Sequence, residues 1–180
     1  MTGWVHDGQA WCAPADSAEQ MRERGAEVAA LLRAGDVLIL DGPLGAGKTT
    51  FTQGIGTALS VRGQVTSPTF VIARSHPPLM LPTPEAGAEP APWLVHVDAY
   101  RLGGAVEVED LDLEADLERA VTVVEWGAGK VEGLAPHRLE VLIRRDVGSP
   151  LGPGDPAGGA RTVRVRGVGP RWAGLLLGPV

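Results

Sequence analysis

Gly42-Pro-Leu-Gly-Ala-Gly-Lys48-Thr49 (GPLGAGKT) follows the apolar run Val37-Leu-Ile-Leu40 and leads into Thr49 to Leu59, a segment that reads as a helix. Strand, glycine-rich turn and helix in that order give the pattern G-x-x-x-x-G-K-[ST] its meaning. Glycines at 42, 45 and 47, with Ala46 between the last two, let the backbone turn successive N–H groups inward, and the helix beginning near Lys48 adds its positive end. Phosphate oxygens fill such a nest. Lys48 is expected to reach the β and γ phosphates of ATP, and the Thr49 hydroxyl to ligate Mg²⁺, which takes few protein ligands and keeps several waters. The bland alternative, a chance glycine turn ahead of a helix, does not account for Lys-Thr at the helix start.

Outward from the loop, Ser17 to Ala34 reads as a helix with a start at Asp16/Ser17, apolar positions at Met21, Val28, Leu31 and Leu32, and a stop at Gly35. Val37 to Leu40 has the uninterrupted apolar character of a strand buried on both faces. Phe70 to Ala73, Leu94 to Val97, Val121 to Val124, Leu139 to Ile143 and Thr162 to Val165 are further strand candidates. Strands interleaved with helices predict an α/β fold, a P-loop three-layer sandwich around a mixed, largely parallel sheet. Pro77 to Pro92 and Gly148 to Gly159 are too rich in Pro, Gly and Ala to pack, and read as loops extending from one domain that spans 1–180.

In an open α/β sheet, ligands collect at the carboxyl ends of the strands, so acids that directly follow buried strands come next. Asp98 ends Leu94-Val-His-Val97 and Glu125 ends Val121-Thr-Val-Val124, the first where a P-loop protein carries its Walker-B acid. Either suits Mg²⁺, directly or through water, and the other suits orientation of the attacking water, because γ-phosphate hydrolysis needs placement and charge neutralisation more than covalent chemistry. A lone carboxylate reads as a solvated strand end; two at equivalent ends beside a phosphate loop read as a site. His96, inside its strand, reads as a packed, hydrogen-bonded core residue. Trp126 reads as packing or as a nucleotide or partner contact.

The 180 residues are 44% apolar, enough for one ordinary core, with a net charge of −6 and a pI near 5.2. That acidity argues against a surface that grips nucleic acid by itself. No apolar run approaches the roughly 18 residues of a bilayer span and no secretory signal is visible, so the expected location is the cytoplasm. The single Cys12 reads as a small residue in an N-terminal strand. The acidic run Glu107 to Glu118 (EVEDLDLEADLE) reads first as a solvated helix face and second as a docking surface for a basic partner.

Gly42 to Thr50 (GPLGAGKTT), Ser67-Pro-Thr-Phe70, His96-Val-Asp-Ala-Tyr-Arg-Leu102 and Val124-Glu-Trp126, in this order, closely resemble the TsaE family, the bacterial ATPase of tRNA threonylcarbamoyladenosine biosynthesis. The similarity runs from about Ser17 to Arg145, with a weaker echo at Arg161 to Val165. The resemblance implies a P-loop fold, ATP hydrolysis, and support of the TsaB–TsaD complex that transfers the threonylcarbamoyl group, with tRNA met only indirectly. Carried over by motif, Lys48, Thr49 and Thr50 hold phosphate and Mg²⁺, Asp98 and Glu125 serve metal and water, and Thr69 lies in a switch-like loop. Trp126 adjoins the site, and Arg161 approaches the adenine with the Asp16/Ser17 region. The chain departs from the family at Met21, often Thr there, and at Gly127, often Pro.

Two rivals share the phosphate loop. A GTPase usually reads guanine with Asn-Lys-x-Asp, and this chain has no asparagine. A small-molecule kinase needs an acceptor pocket and a lid with phosphate-facing arginines; Arg144 and Arg145, at a strand end, read as solvated instead.

Overall fold

The structure, a computed structural model, describes residues 3–68, 72–79, 91–101, 118–133, 135–145 and 160–178. Its described elements are β1 (Val5–His6), β2 (Trp11–Pro14), α1 (Ala18–Ala29), β3 (Val37–Asp41), α2 (Lys48–Ala58), β4 (Ala73–His76), β5 (Trp93–Asp98), β6 (Ala120–Glu125), β7 (Arg138–Arg145) and β8 (Arg161–Val168). A 3-10 turn follows at Pro170–Trp172.

The eight described strands form one sheet in the order β1-β2-β8-β7-β3-β6-β5-β4. Its centre is parallel: β3 pairs with both β6 and β7, and β6 with β5. Both flanks are antiparallel. This is the mixed sheet of an α/β fold, with the parallel pairing confined to the middle. Burial follows the pairing. Every residue of β6 is buried and β3 is buried from Val37 to Leu40, whereas β7 and β8 alternate. A continuous apolar run therefore marks a strand covered on both faces, and alternation marks one covered on a single face.

Period two separates the faces. Leu38, Leu40, Val121, Val123, Leu94, Leu139, Val141, Ile143, Val163 and Val165 join Met21 and Val28 of α1 and Phe51 and Ile55 of α2 in one core cluster. Ile39, Val95, Val97, Ala120 and Val124 form the other, which also takes Val131 from the loop after β6. The even positions His96 and Asp98 share their parity with Leu94, and Glu125 shares its parity with Val121 and Val123, so all three acid or imidazole groups belong to the side that carries α1 and α2.

The two helices touch backbone to backbone. A Cβ on Gly25 would stand 2.1 Å from the Phe51 carbonyl oxygen, and one on Gly54 would stand 2.0 Å from that of Arg22. Only glycine allows this approach, and it locks α1 beside the helix that begins the phosphate loop. Ser17 caps α1 by accepting from the Gln20 N–H at 3.1 Å, and the Gln20 side chain accepts in turn from the Asp16 N–H at 2.7 Å.

Two expected boundaries move. The first helix ends at Ala29 rather than Ala34, because residues 31 and 32 tighten into i→i+3 bonds and the Asp36 carboxylate captures the Arg33 N–H at 2.9 Å. The strand expected at Phe70 to Ala73 runs Ala73–His76 instead; Phe70 and Val71 lie outside the described residues, and Ile72 has φ +69°. This is an edge strand whose sequence, ARSH, is polar, so an apolar-run rule stops where the strand starts. Residues 80–90, 102–117 and 146–159 also lie outside the described residues, and with them most of the Pro-rich stretch, most of the acidic run and the Gly148 to Gly159 loop. No helix among the described residues is long and apolar enough to cross a membrane.

Candidate active site

Between β3 and α2 the chain must reverse within seven residues, and it does so through Gly42 (φ +149°), Gly45 (φ +74°) and Gly47 (φ +106°). At Gly42 space as well as dihedral angle demands glycine, since a Cβ there would lie 2.5 Å from the Ile143 carbonyl oxygen. Gly47 is the N-cap of α2 and no side chain caps that helix. The first-turn N–H groups of a helix lack intrahelical acceptors, so this uncapped start is a donor surface for an anion.

A cleft of about 370 Å³ opens over that helix start. Gly45, Gly47, Lys48, Thr49, Thr50, Asp98, Glu125, Trp126 and Arg161 line it, with Ser17, Ala18, Met21, Leu44 and Ser67. Gly42 and Ala46 are buried behind this wall and shape the loop from beneath. Thr69 lies outside the described residues.

Lys48 is nearly buried, and its Nζ donates to the carbonyl oxygens of Gly42 at 2.8 Å and Pro43 at 3.2 Å. Burial pushes its pKa down, while the carboxylates of Glu125, Asp41 and Asp98 pull the other way. The same ammonium sits 3.8 Å from the centre of the Trp126 ring, a cation–π contact. Trp126 itself has φ +59°, a left-handed conformation that costs a non-glycine residue on the order of 1–3 kcal/mol. It is held by its N–H to the Leu40 carbonyl at 3.0 Å and by an edge-to-face contact with Tyr100 at 5.2 Å.

Asp98 and Glu125 are register partners at the ends of the parallel pair β5 and β6, and both are buried. Their environments differ. Glu125 Oε1 accepts from the Thr49 hydroxyl at 3.0 Å and lies 2.8 Å from His96 Nε2. Asp98 Oδ1 accepts from the Tyr100 N–H at 2.9 Å, a local turn that points the strand end back on itself. Arg161, the first residue of β8, comes to the far end of the cleft because its carbonyl accepts the Ala15 N–H at 2.8 Å, which ties the entry of α1 to the sheet. Met21 packs against the loop, its Cε 3.3 Å from where a Gly47 Cβ would be.

Sequence reasoning missed Asp41, which accepts the Gly42 N–H at 2.8 Å and adds negative charge beside Lys48, and it stopped at packing for His96. Asp41 directly follows a buried strand, as Asp98 and Glu125 do, so the same strand-end signal pointed to it. Chemically, the cleft presents one cation, an uncapped helix start and hard oxygen donors from Thr49, Asp98 and Glu125. That donor set fits a phosphate chain with Mg²⁺.

The family model described as threonylcarbamoyl adenosine biosynthesis protein TsaE matches residues 15–149. A Streptomyces coelicolor protein named tRNA threonylcarbamoyladenosine biosynthesis protein TsaE is 56% identical over 154 residues, 85% of this chain and 94% of that one. A protein of the same name from Mycobacterium tuberculosis H37Rv is 46% identical over 127 residues, 67% and 71% of the two chains. The crystal structure of Bacillus subtilis YdiB superposes with a TM-score of 0.65 at 28% identity, covering 93% of this chain and 92% of its own.

Proposed function

The chain belongs to the TsaE family of tRNA threonylcarbamoyladenosine biosynthesis proteins, and on that premise we propose that it binds ATP with Mg²⁺ in this cleft and hydrolyses it in support of the TsaB–TsaD transferase complex. The observation that carries the reading is the meeting of Lys48, Thr49, Asp98 and Glu125, from three separate elements, around an uncapped helix start.

The residues divide the work. The first-turn N–H groups of α2 and the Lys48 ammonium take the phosphate oxygens, and Lys48 gives up the Gly42 and Pro43 carbonyls to do so. Thr49 and Thr50 sit where a metal-bound phosphate needs hydroxyls. Thr49 must then exchange its bond to Glu125 for one to the ion. Mg²⁺, when bound, supplies charge neutralisation at the phosphates. Of Asp98 and Glu125, one holds the ion and the other orients the attacking water. Arg161 and Ser17, at the other end of the cleft, face the base. Trp126 and Thr69 adjoin the γ-phosphate side, with Thr69 in a loop that the phosphate orders and hydrolysis releases.

The partner reading rests on charge and on the family. A net charge of −6 repels a nucleic-acid backbone, so the nucleotide state is read by protein and tRNA is met through the complex. Phosphate release measured with and without TsaB–TsaD should show slow turnover alone and faster turnover with the complex. Recovery of the complex on this protein should differ between a non-hydrolysable ATP analogue, ADP and no nucleotide. A gel shift with isolated tRNA should show weak binding at physiological salt. Absence of phosphate release under both conditions overturns the enzyme reading, equal recovery in all three states removes the switch, and tight tRNA binding reverses the charge argument.

A further inference from the structure

His96 is fully buried in β5, yet it is the one group besides Thr49 that touches the Glu125 carboxylate among the described residues. Its position follows from sheet geometry. β5 and β6 run parallel with Asp98 opposite Glu125, so His96 stands one pleat back on the same face, within reach of a glutamate side chain that bends along its neighbour strand. Nε2 lies 2.8 Å from Glu125 Oε1, and Nδ1 is buried with no hydrogen-bond partner among the described residues.

We propose that His96 is a positioning residue for Glu125: its Nε2–H donates to Oε1 and keeps the carboxylate aimed into the cleft through the hydrolytic cycle. The inference rests on the ATPase reading above. The tautomer follows from the partners. A proton on Nε2 gives the carboxylate a donor and leaves only a bare lone pair orphaned at Nδ1; a proton on Nδ1 would bury an unpaired N–H and set two lone pairs against each other. The role follows from Thr49. Once the Thr49 hydroxyl turns to the metal, Oε1 loses that bond, and the imidazole is the remaining described group that holds it. A glutamate has three side-chain torsions, and with no partner it would spread over rotamers that do not face the cleft. Groups that orient a reacting carboxylate in this way typically change activity by about 10–100-fold when removed.

The test compares His96→Leu, which fills the site without a donor, with His96→Gln, whose amide nitrogen donates from about the same place. Steady-state phosphate release should fall about 10–100-fold in kcat for His96→Leu, with KM for MgATP within about twofold of wild type, and His96→Gln should recover most of the loss. In a Glu125→Ala background, His96→Leu should cost nothing further, because the group it positions is gone. Circular dichroism melting reports on the fold of each variant. Equal loss in both His96 variants, a loss that adds to that of Glu125→Ala, or a KM that rises as kcat falls would reduce His96 to a packing residue. Nitrogen-15 spectra of the wild-type ring decide the matter even if His96→Leu does not fold: an Nε2–H tautomer supports the proposal and an Nδ1–H tautomer overturns it. A wild-type protein with no turnover sinks the ATPase reading and this role together, whereas an active wild type with an equally active His96→Leu sinks only the role of His96.

Discussion

The antiparallel flank formed by β2, β8 and β7 and the parallel centre formed by β3, β6 and β5 both carry charged residues, and they treat them in opposite ways. On the flank, Arg164 pairs with Asp7 at 2.8 Å, and Glu140 lies between Arg138 at 2.7 Å and Arg166 at 2.5 Å. Burial alone would raise the Glu140 pKa, but hydrogen bonds and charge from Arg166 and Arg138 outweigh it and hold it low. Each charge there is answered across the strand, on the face that α1 and α2 leave open. At the centre, Lys48, Asp98 and Glu125 are buried at strand ends around a cleft, and Lys48 is satisfied by carbonyls and a ring rather than by an ion pair. Burying charge is costly unless something compensates, so a cluster of buried charges without close ion pairs marks a place where a charged ligand completes the set.

The largest test of that contrast is Lys48→Ala. It removes two charge-assisted phosphate contacts of roughly 2 kcal/mol each, so MgATP affinity should fall about a thousandfold by calorimetry, with an unchanged circular dichroism spectrum. Retained affinity would place Lys48 among the structural charges of the flank. Next come Asp98→Ala and Glu125→Ala, each expected to cut phosphate release about a hundredfold while nucleotide affinity changes far less, because they act on the transition state more than on the bound ground state. A Mg²⁺ titration of the two variants separates the metal holder from the water holder. If neither loses activity, the centre is no different from the flank.

Smaller effects concern the frame. Gly42→Ala combines a φ of +149° with a Cβ placed 2.5 Å from the Ile143 carbonyl, and should cost about 1–3 kcal/mol in urea unfolding. The smallest effects belong to the flank. Arg166→Ala should cost about 0.5 kcal/mol and leave hydrolysis unchanged, because the guanidinium is exposed. Asp7 accepts the Gln9 and Ala10 N–H groups, which bring its pKa from 3.8 down to about 2. A lowered carboxylate pKa stabilises the fold above pH 3.8, and the contribution disappears as pH falls toward 2. Asp7→Asn should therefore flatten that acid limb of the urea midpoint, and an unaltered limb would show that the turn between β1 and β2 does not couple to global stability.

What the sequence by itself determined is what local chemistry encodes. Three glycines within six residues ahead of Lys-Thr admit few backbones other than the phosphate loop, and the apolar runs at Val37 to Leu40, Leu94 to Val97 and Val121 to Val124 each became a strand of the parallel centre. Asp98 and Glu125 were legible because a buried strand that ends in an acid is a local pattern too. The tertiary structure decided what depends on pairing between distant segments. The His96–Glu125 contact joins residues 29 apart and the Thr49–Glu125 bond residues 76 apart, and both exist only because β5 and β6 align Asp98 with Glu125. Shifting that register by one residue would turn either group to the opposite face. The polar edge strand Ala73–His76 and the early end of α1 were set in the same way, by a neighbouring strand and by the Asp36 carboxylate. Periodicity reports which way a side chain faces, and the ladder of backbone hydrogen bonds, which carries no side-chain signature, settles what it meets there.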